Sequence, residues 1–512
     1  MTGSMSHRRQ NSDLLKATHL MEEVSLGGRD SLENQRDIPC SSDLMQSVPD
    51  DVLAEIFQAG TSLCRDPIDD LFIDDLPKLP FPHLVSSVSR RWRDVALSSP
   101  RLWTTIVFNC DMGTNHECPS LWIERSGACL LDITISTSPW NYWDSSSNLK
   151  SAMDQIIPHT NRWRRFTVDS LSQNMVRTVV ARLRTASAPH LRDFKMISND
   201  NHGFDIDSDS LGTMDVTSSV CDHIFTGGAP SLTKARLIGP YSMYRPPLTG
   251  LTYLQLGGSN HSNEIVTITA NCLRDLLTAS PFLTNLVLQC LDIVLPLNTS
   301  VSDIQIPSLC SLTMIFSSHK CKFWKLFSLL SLPKLATLAL GQMSQFSELS
   351  IDVGPQSYPT VTVLELLKCG RIHHSLAKSL YSSFPSIIHF NLIGSSGVVP
   401  EHPHVQSDSD GAIIWPHLKT VTISYPLKYE TICDFIDNRE KMGHPLGTVN
   451  VWSRIRQEMA VIKLDNESKS NFPYLAGLKS AIEEVEYEEY EDRREEEERF
   501  HPDDFDRYGD SD

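Results

Sequence analysis

Adjacent histidines at 373 and 374 are the residues whose type most readily suggests chemistry, because imidazole nitrogens bind metals and shuttle protons. Neighbours on a helix point about a third of a turn apart, and no third ligand lies close in sequence, so a helix-start or surface role is the simpler expectation. The carboxylate pairs Asp69-Asp70 and Asp74-Asp75 have the type needed for general acid–base work. They stand in a Pro- and Asp-rich stretch without evident partners and are expected to be solvated. The chain contains no HExxH, GxxxxGK[ST], GxSxG or strand-borne GxGxxG signature. Its 12 cysteines occur singly from Cys40 to Cys433, with neither a CxxC pair nor zinc-ligand spacing. Scattered thiols of this kind are usually small buried apolar groups in a reduced protein. No catalytic, cofactor-binding or metal-binding residue is assigned, and no enzymatic activity is expected.

A second chemistry is suggested by "VSSVSRRWRDVALSSPRLW", residues 85 to 103, which holds Arg90, Arg91, Arg93 and Arg101 among Trp92 and Trp103. Basic residues interleaved with aromatics suit nucleic acid, and they equally suit a small helical module that docks a protein. The formal net charge of −18 weighs against affinity for phosphate backbones or anionic membranes. Residues 481 to 512 alone carry 16 Asp/Glu and 4 Arg, leaving −6 for the rest. A second "RWR" at 162 to 164 lies far from the first, so the triplet carries little information by itself. A protein-docking helix is the better reading.

The elements that must position these residues divide the chain into four. Residues 1–43 are polar and aperiodic and are expected to be disordered. In 44–108, "SVPDDVLAEIFQAG" starts a helix, with Pro49 at its first position and Asp50 and Asp51 at the positive end of its dipole. Leu53, Ile56 and Phe57 make one apolar face, and Gly60 is a plausible stop. After a Pro- and Asp-rich loop, a second helix carries Leu84, Val88, Trp92 and Val95 or Ala96 on one side. Pro100 closes it, and "LWTTIVF" reads as a strand. Residues 466–512 form an acidic tail expected to be solvated and disordered.

Between them, residues 109–465 repeat. The unit Pro-x-apolar-x-x-apolar-x-apolar recurs at Pro189, Pro230, Pro281, Pro307, Pro333, Pro359, Pro385 and Pro416, with a proline-free copy, "TGLTYLQL", at 249. From Pro281 to Pro385 successive prolines are 26 residues apart. The last two apolar residues of each unit fall on one face of a short strand, which can be buried only by stacking on its neighbours. Return segments such as "KCKFWKLFSLLSL" (320–332) and "HHSLAKSLYSSF" (373–384) have helical spacing, each proline then ending a helix and opening a strand. "LWIERSGACLLDITIS", "LKSAMDQIIPHTNRWRRFTVD" and "YETICDFIDNREKMGHPLGTVNVW" each read as helix then strand. The expected fold class is α/β: an N-terminal three-helix module, then a curved solenoid of strand-plus-helix units of about 26 residues, with disordered ends. The chain lacks a signal-peptide run and any apolar stretch long enough to span a membrane, so a cytoplasmic or nuclear location is expected.

Residues 44–108 resemble an F-box-like domain. The resemblance rests on Val48, Pro49, Leu53, Ile56 and Phe57, then on Leu84, Val88, Ser89, Trp92, Ala96, Pro100, Leu102 and Trp103. Ser89 stands where the motif usually has cysteine, and the loop between the two halves is long. "WIERSG", "LLDITI" and "TNRWRRFTV" look like phrases that follow the F-box in a large family of fungal proteins, where a leucine-rich-repeat-like array comes next. The resemblance implies a substrate-recognition adaptor of an SCF-type (cullin–RING) ubiquitin ligase. Its F-box-like domain would bind a Skp-type adaptor through Val48, Pro49, Leu53, Ile56, Phe57, Leu84, Val88, Trp92, Pro100, Leu102 and Trp103, and its repeats would bind a protein substrate. Of these residues, Leu53, Val88 and Trp92 are expected mainly in the core, and Pro49, Ile56, Phe57 and Leu84 at the contact. The alternative is a non-enzymatic scaffold that keeps the fold without ligase coupling. Neither reading calls for nucleic acid, membrane or cofactor.

Overall fold

The structure, a computed structural model, describes residues 47–63, 80–110, 117–137, 142–198, 222–239, 244–258, 266–294, 304–316, 327, 330–342, 358–367, 369, 380–393, 415–424, 429–453 and 458–463. The expectations for the two chain ends, for Asp69-Asp70, Asp74-Asp75 and His373-His374, and for most of 320–332 fall outside these residues. The fold is mixed α/β with a large parallel sheet, and the chain divides into two compact units at Thr167/Val168.

In the first unit, helices α1 (Asp50–Leu63), α2 (Phe81–Val88) and α3 (Arg90–Leu97) lead into a 3-10 turn, Pro100–Trp103. Strand β1 (Thr105–Asn109), helix α4 (Glu117–Arg125), strand β2 (Leu131–Ser136) and helix α5 (Tyr142–Ile156) follow, before strand β3 (Trp163–Leu171) begins. β1 and β2 pair in parallel, Thr105 opposite Asp132. Two sequence expectations are corrected here. α1 does not stop at Gly60, because the ring of Phe81 occupies the place that a Cβ would take, so this glycine serves close helix packing inside α1. The second helix is in fact two. Ser89 is extended (φ −156°, ψ 168°), and its hydroxyl accepts the Trp92 amide at 3.1 Å to cap α3.

In the second unit, helix α6 (Gln173–Leu183) precedes an open sheet whose order follows the sequence. Its strands are β4 (Asp193–Ser198), β5 (Lys234–Ile238), β6 (Tyr253–Gly257), β7 (Asn285–Gln289), β8 (Ser311–Ile315) and β9 (Thr337–Gly341). The order continues through β10 (Val363–Leu367), β11 (His389–Ile393), β12 (Thr420–Ser424), β13 (Thr448–Ser453) and β14 (Glu458–Lys463). Every neighbouring pair is parallel except β13 with β14. The sequence period is therefore a pairing rule: Leu286, Leu312, Leu338, Leu364 and Phe390 stand side by side on consecutive strands. Just before each strand, one carbonyl accepts two successive amides of the next unit, from Arg192 to Thr233, Thr252, Thr284, Cys310, Ala336, Thr362, Ile388 and Lys419.

Pro281 and Pro385 follow closely on helical residues, 270–278 and 380–383, as expected, but the proline of a unit does not itself open the strand. It occupies the second position of a tight turn in which Leu283, Leu309, Leu335 and Val361 donate to the carbonyls of Ser280, Ile306, Leu332 and Tyr358. Proline's fixed φ suits that position, where no amide is required. The third residue of the turn unit drops into the core, and Leu283, Leu309, Leu335, Val361 and Ile387 are all fully buried. One helix per unit is corrected too. Helices α6, α7 (Ala270–Thr278) and α8 (Tyr429–Lys441) fill some returns. Short parallel strands also occur in the returns, Asp222–His223 with Tyr244–Arg245, Val266–Thr269 (which leads directly into α7) with Leu291–Val294, and Ile304–Gln305 with Leu330–Ser331. Leu330–Ser331 belongs to the stretch with helical spacing.

Candidate docking surface of the helical module

The residues that carry the motif separate by burial. Leu53, Phe57, Leu102 and Trp103 are buried; Val48 and Trp92 are half-buried; Pro49, Ile56, Leu84, Val88 and Pro100 are exposed. Phe57, expected at the contact, is instead core, with its ring 5.0 Å from that of Trp92. Val88, expected in the core, is 61 % exposed. The physical reason is the break at Ser89, which starts a new helix and decouples Val88 from the buried side that Val95 and Ala96 share.

What remains outside is apolar. Val52 and Ile56 lie four residues apart along α1, with Pro49 immediately before the helix instead of at its first position, and Leu84 and Val88 have the same spacing along α2, so each pair lies on one side of its helix. Val52 and Leu97 are also among the large exposed apolar side chains of this module and were not singled out in the sequence. The i, i+4 relation of Val52 to Ile56 was a usable signal for the first. Leu97 had none.

The core beneath is aromatic. The Trp103 indole N–H donates to the Ala96 carbonyl at 2.9 Å, and its ring meets Trp122 edge-on at 5.5 Å. The Arg125 guanidinium lies 4.6 Å over the Trp103 ring, a cation–π contact. The arginines of the opening stretch are not all a solvated face. Arg90 and Arg93 are exposed, whereas Arg91 donates to Asp50 at 2.8 Å and to the Val48 carbonyl, tying α3 to the start of α1. The second "RWR" is also structural, with Arg164 forming a bidentate pair with Asp132 at 2.8 and 2.7 Å.

His83 stands against Trp103 and Trp122, at 6.0 and 5.4 Å. Burial, then the nearby Arg125 charge, hold its pKa below the ordinary 6.5. The unfolded chain therefore takes up a proton before the folded one does as pH falls through 6.5. Stability that is complete above that pH is lost below it, until the lowered folded pKa is reached. A His83→Gln variant is expected to lose less of its melting temperature than the parent between pH 7.5 and pH 5.5. Equal losses would show that His83 makes no contribution.

The same unit has a cavity of about 460 Å³ lined in part by Arg101, Arg164, Thr61, Thr104 and Cys129. Among the described residues its lining includes no carboxylate and no imidazole. Among the described residues, no group of three or more His, Cys, Asp or Glu could hold a metal ion, and no helix is long and apolar enough to cross a membrane. In comparisons with known proteins, no family model matches the chain and no curated protein matches it.

Proposed function

We propose that the chain is a substrate-recognition adaptor of an SCF-type ubiquitin ligase, an F-box-like module binding a Skp-type adaptor and a leucine-rich-repeat-like solenoid binding a protein substrate. The observation that carries this reading is the exposed apolar side chains lined up along each helix, Val52 and Ile56 on α1 with Pro49 just before it, and Leu84 and Val88 on α2. The interior of the module is already filled by Leu53, Phe57, Leu102 and Trp103, so these outer residues are not needed for its core. Exposed apolar side chains grouped along two short helices suit burial by another protein. The second unit supports the other half of the reading, because its stacked strands keep one row of variable residues per unit away from the core.

Such a protein breaks no bond. It raises the effective concentration of a substrate beside a conjugating enzyme. Purification of the full chain from cells is expected to bring down a Skp-type adaptor together with a cullin. Recovery of a folded chain with neither would overturn the reading.

A further inference from the structure

The face of the sheet opposite the leucine core in β4 to β9 carries a row of side chains set in register. Lys195 stands beside Arg236, Arg236 beside Gln255, Gln255 beside Val287, and Thr313 and Ala339 follow. Two cations are thus neighbours on adjacent strands, an arrangement that opposes folding unless something else offsets it. Lys195 is only 9 % exposed, flanked by fully buried Phe194 and Met196 pointing the other way, and has no hydrogen-bonding or ion-pairing partner among the described residues. Asp193, two residues earlier on the same face, forms no ion pair with it. An exposed third cation, Lys234, lies opposite Asp193 in the register. The Arg236 guanidinium sits 5.7 Å over the Tyr253 ring.

Beyond these cations the row is uncharged until Glu365 on β10, which already accepts from Asn391 at 3.0 Å. Six strand spacings separate Lys195 from Glu365, roughly 29 Å, or about nine residues of extended chain. The surface therefore has a cationic end and a neutral remainder.

We propose that this face binds an extended segment of a partner protein that places an anionic side chain, carboxylate or phosphate, at Lys195 and Arg236 and lays uncharged residues across Gln255, Val287, Thr313 and Ala339. The proposal rests on the substrate-binding reading of the repeats and specifies the chemistry of the segment they take. An ammonium that has no anionic partner among the described residues and stands beside a second cation gains from a bound anion.

The test uses the full chain and three fluorescein-labelled nine-residue peptides of uncharged sequence, headed by Glu-Asp, by phosphoserine or by Gln-Asn. At least one anionic peptide is expected to bind ten times more tightly than the neutral one, with the preference falling as salt rises. Which of the two binds distinguishes carboxylate from phosphate. Lys195→Met keeps the aliphatic stem, and it is expected to remove that preference while melting no lower than the parent. Equal binding of all three peptides would overturn the proposal. So would an undiminished preference in Lys195→Met, or a variant that melts several degrees lower, since the ammonium would then be holding the fold. Lys195→Met is expected to retain the Skp-type adaptor, so failure here is distinguishable from failure of the ligase reading.

Discussion

Replacing Trp103 by alanine is expected to destabilise the helical module by about 3–5 kcal/mol, the range for removing a fully buried large aromatic. The indole has no solvent exposure and links the segments before and after it. Its N–H holds the Ala96 carbonyl near the end of α3, and its faces and edges meet Trp122, His83 and Arg125. Truncation would leave a cavity among groups from α2, α3 and α4 and withdraw a buried hydrogen bond together with the cation–π contact. Urea unfolding followed by near-ultraviolet circular dichroism checks this. A loss below about 1 kcal/mol would mean that Trp103 is not the anchor its burial implies.

The second large effect is expected on binding, with the fold left intact. Ile56 and Leu84 are 50 % and 43 % exposed, and neither is needed to close the core. The double variant Ile56→Asp with Leu84→Asp should change stability little, within about 0.5 kcal/mol per site. Each substitution puts a charge where a partner would bury apolar surface, at a cost of about 2 kcal/mol or more per central residue. Together they should weaken the Skp-type adaptor by at least about a hundredfold. Phe57→Asp would not make this test, because a charge in the core would unfold the module and lose binding for an unrelated reason.

These two experiments fall on opposite sides of what the sequence made legible. The stacking of the repeats was readable because the same residue must be buried in every unit, and Leu283, Leu309, Leu335 and Val361 are. The role of the prolines was not, since a helix end and a tight turn both favour proline, and only the hydrogen bond across it separates them. Periodicity gave α1 an apolar side, yet it could not say which edge faces inward. Phe57 went in and Ile56 out because Trp92 and the ring of Phe81 come from elsewhere in the chain. The break at Ser89 was hidden by an apolar spacing that runs unbroken from Leu84 to Ala96, and by a serine that serves a helix interior as a neutral residue and a cap as a good one. Short return strands escaped notice because two residues carry no period, and their partners lie a whole unit away. The Lys195–Arg236 pair was equally invisible, since 41 positions separate two residues that the register makes neighbours.

The ligase reading depends on direct contact between the α1–α2 surface and a Skp-type adaptor. Calorimetric titration of that purified adaptor into the full chain, and into the Ile56→Asp/Leu84→Asp chain with matched melting temperature, measures that contact. The parent is expected to form a saturable one-to-one complex, and the double variant is expected to give no detectable heat at the same concentrations. A folded parent that gives no heat, or a double variant that binds as the parent does, would contradict it.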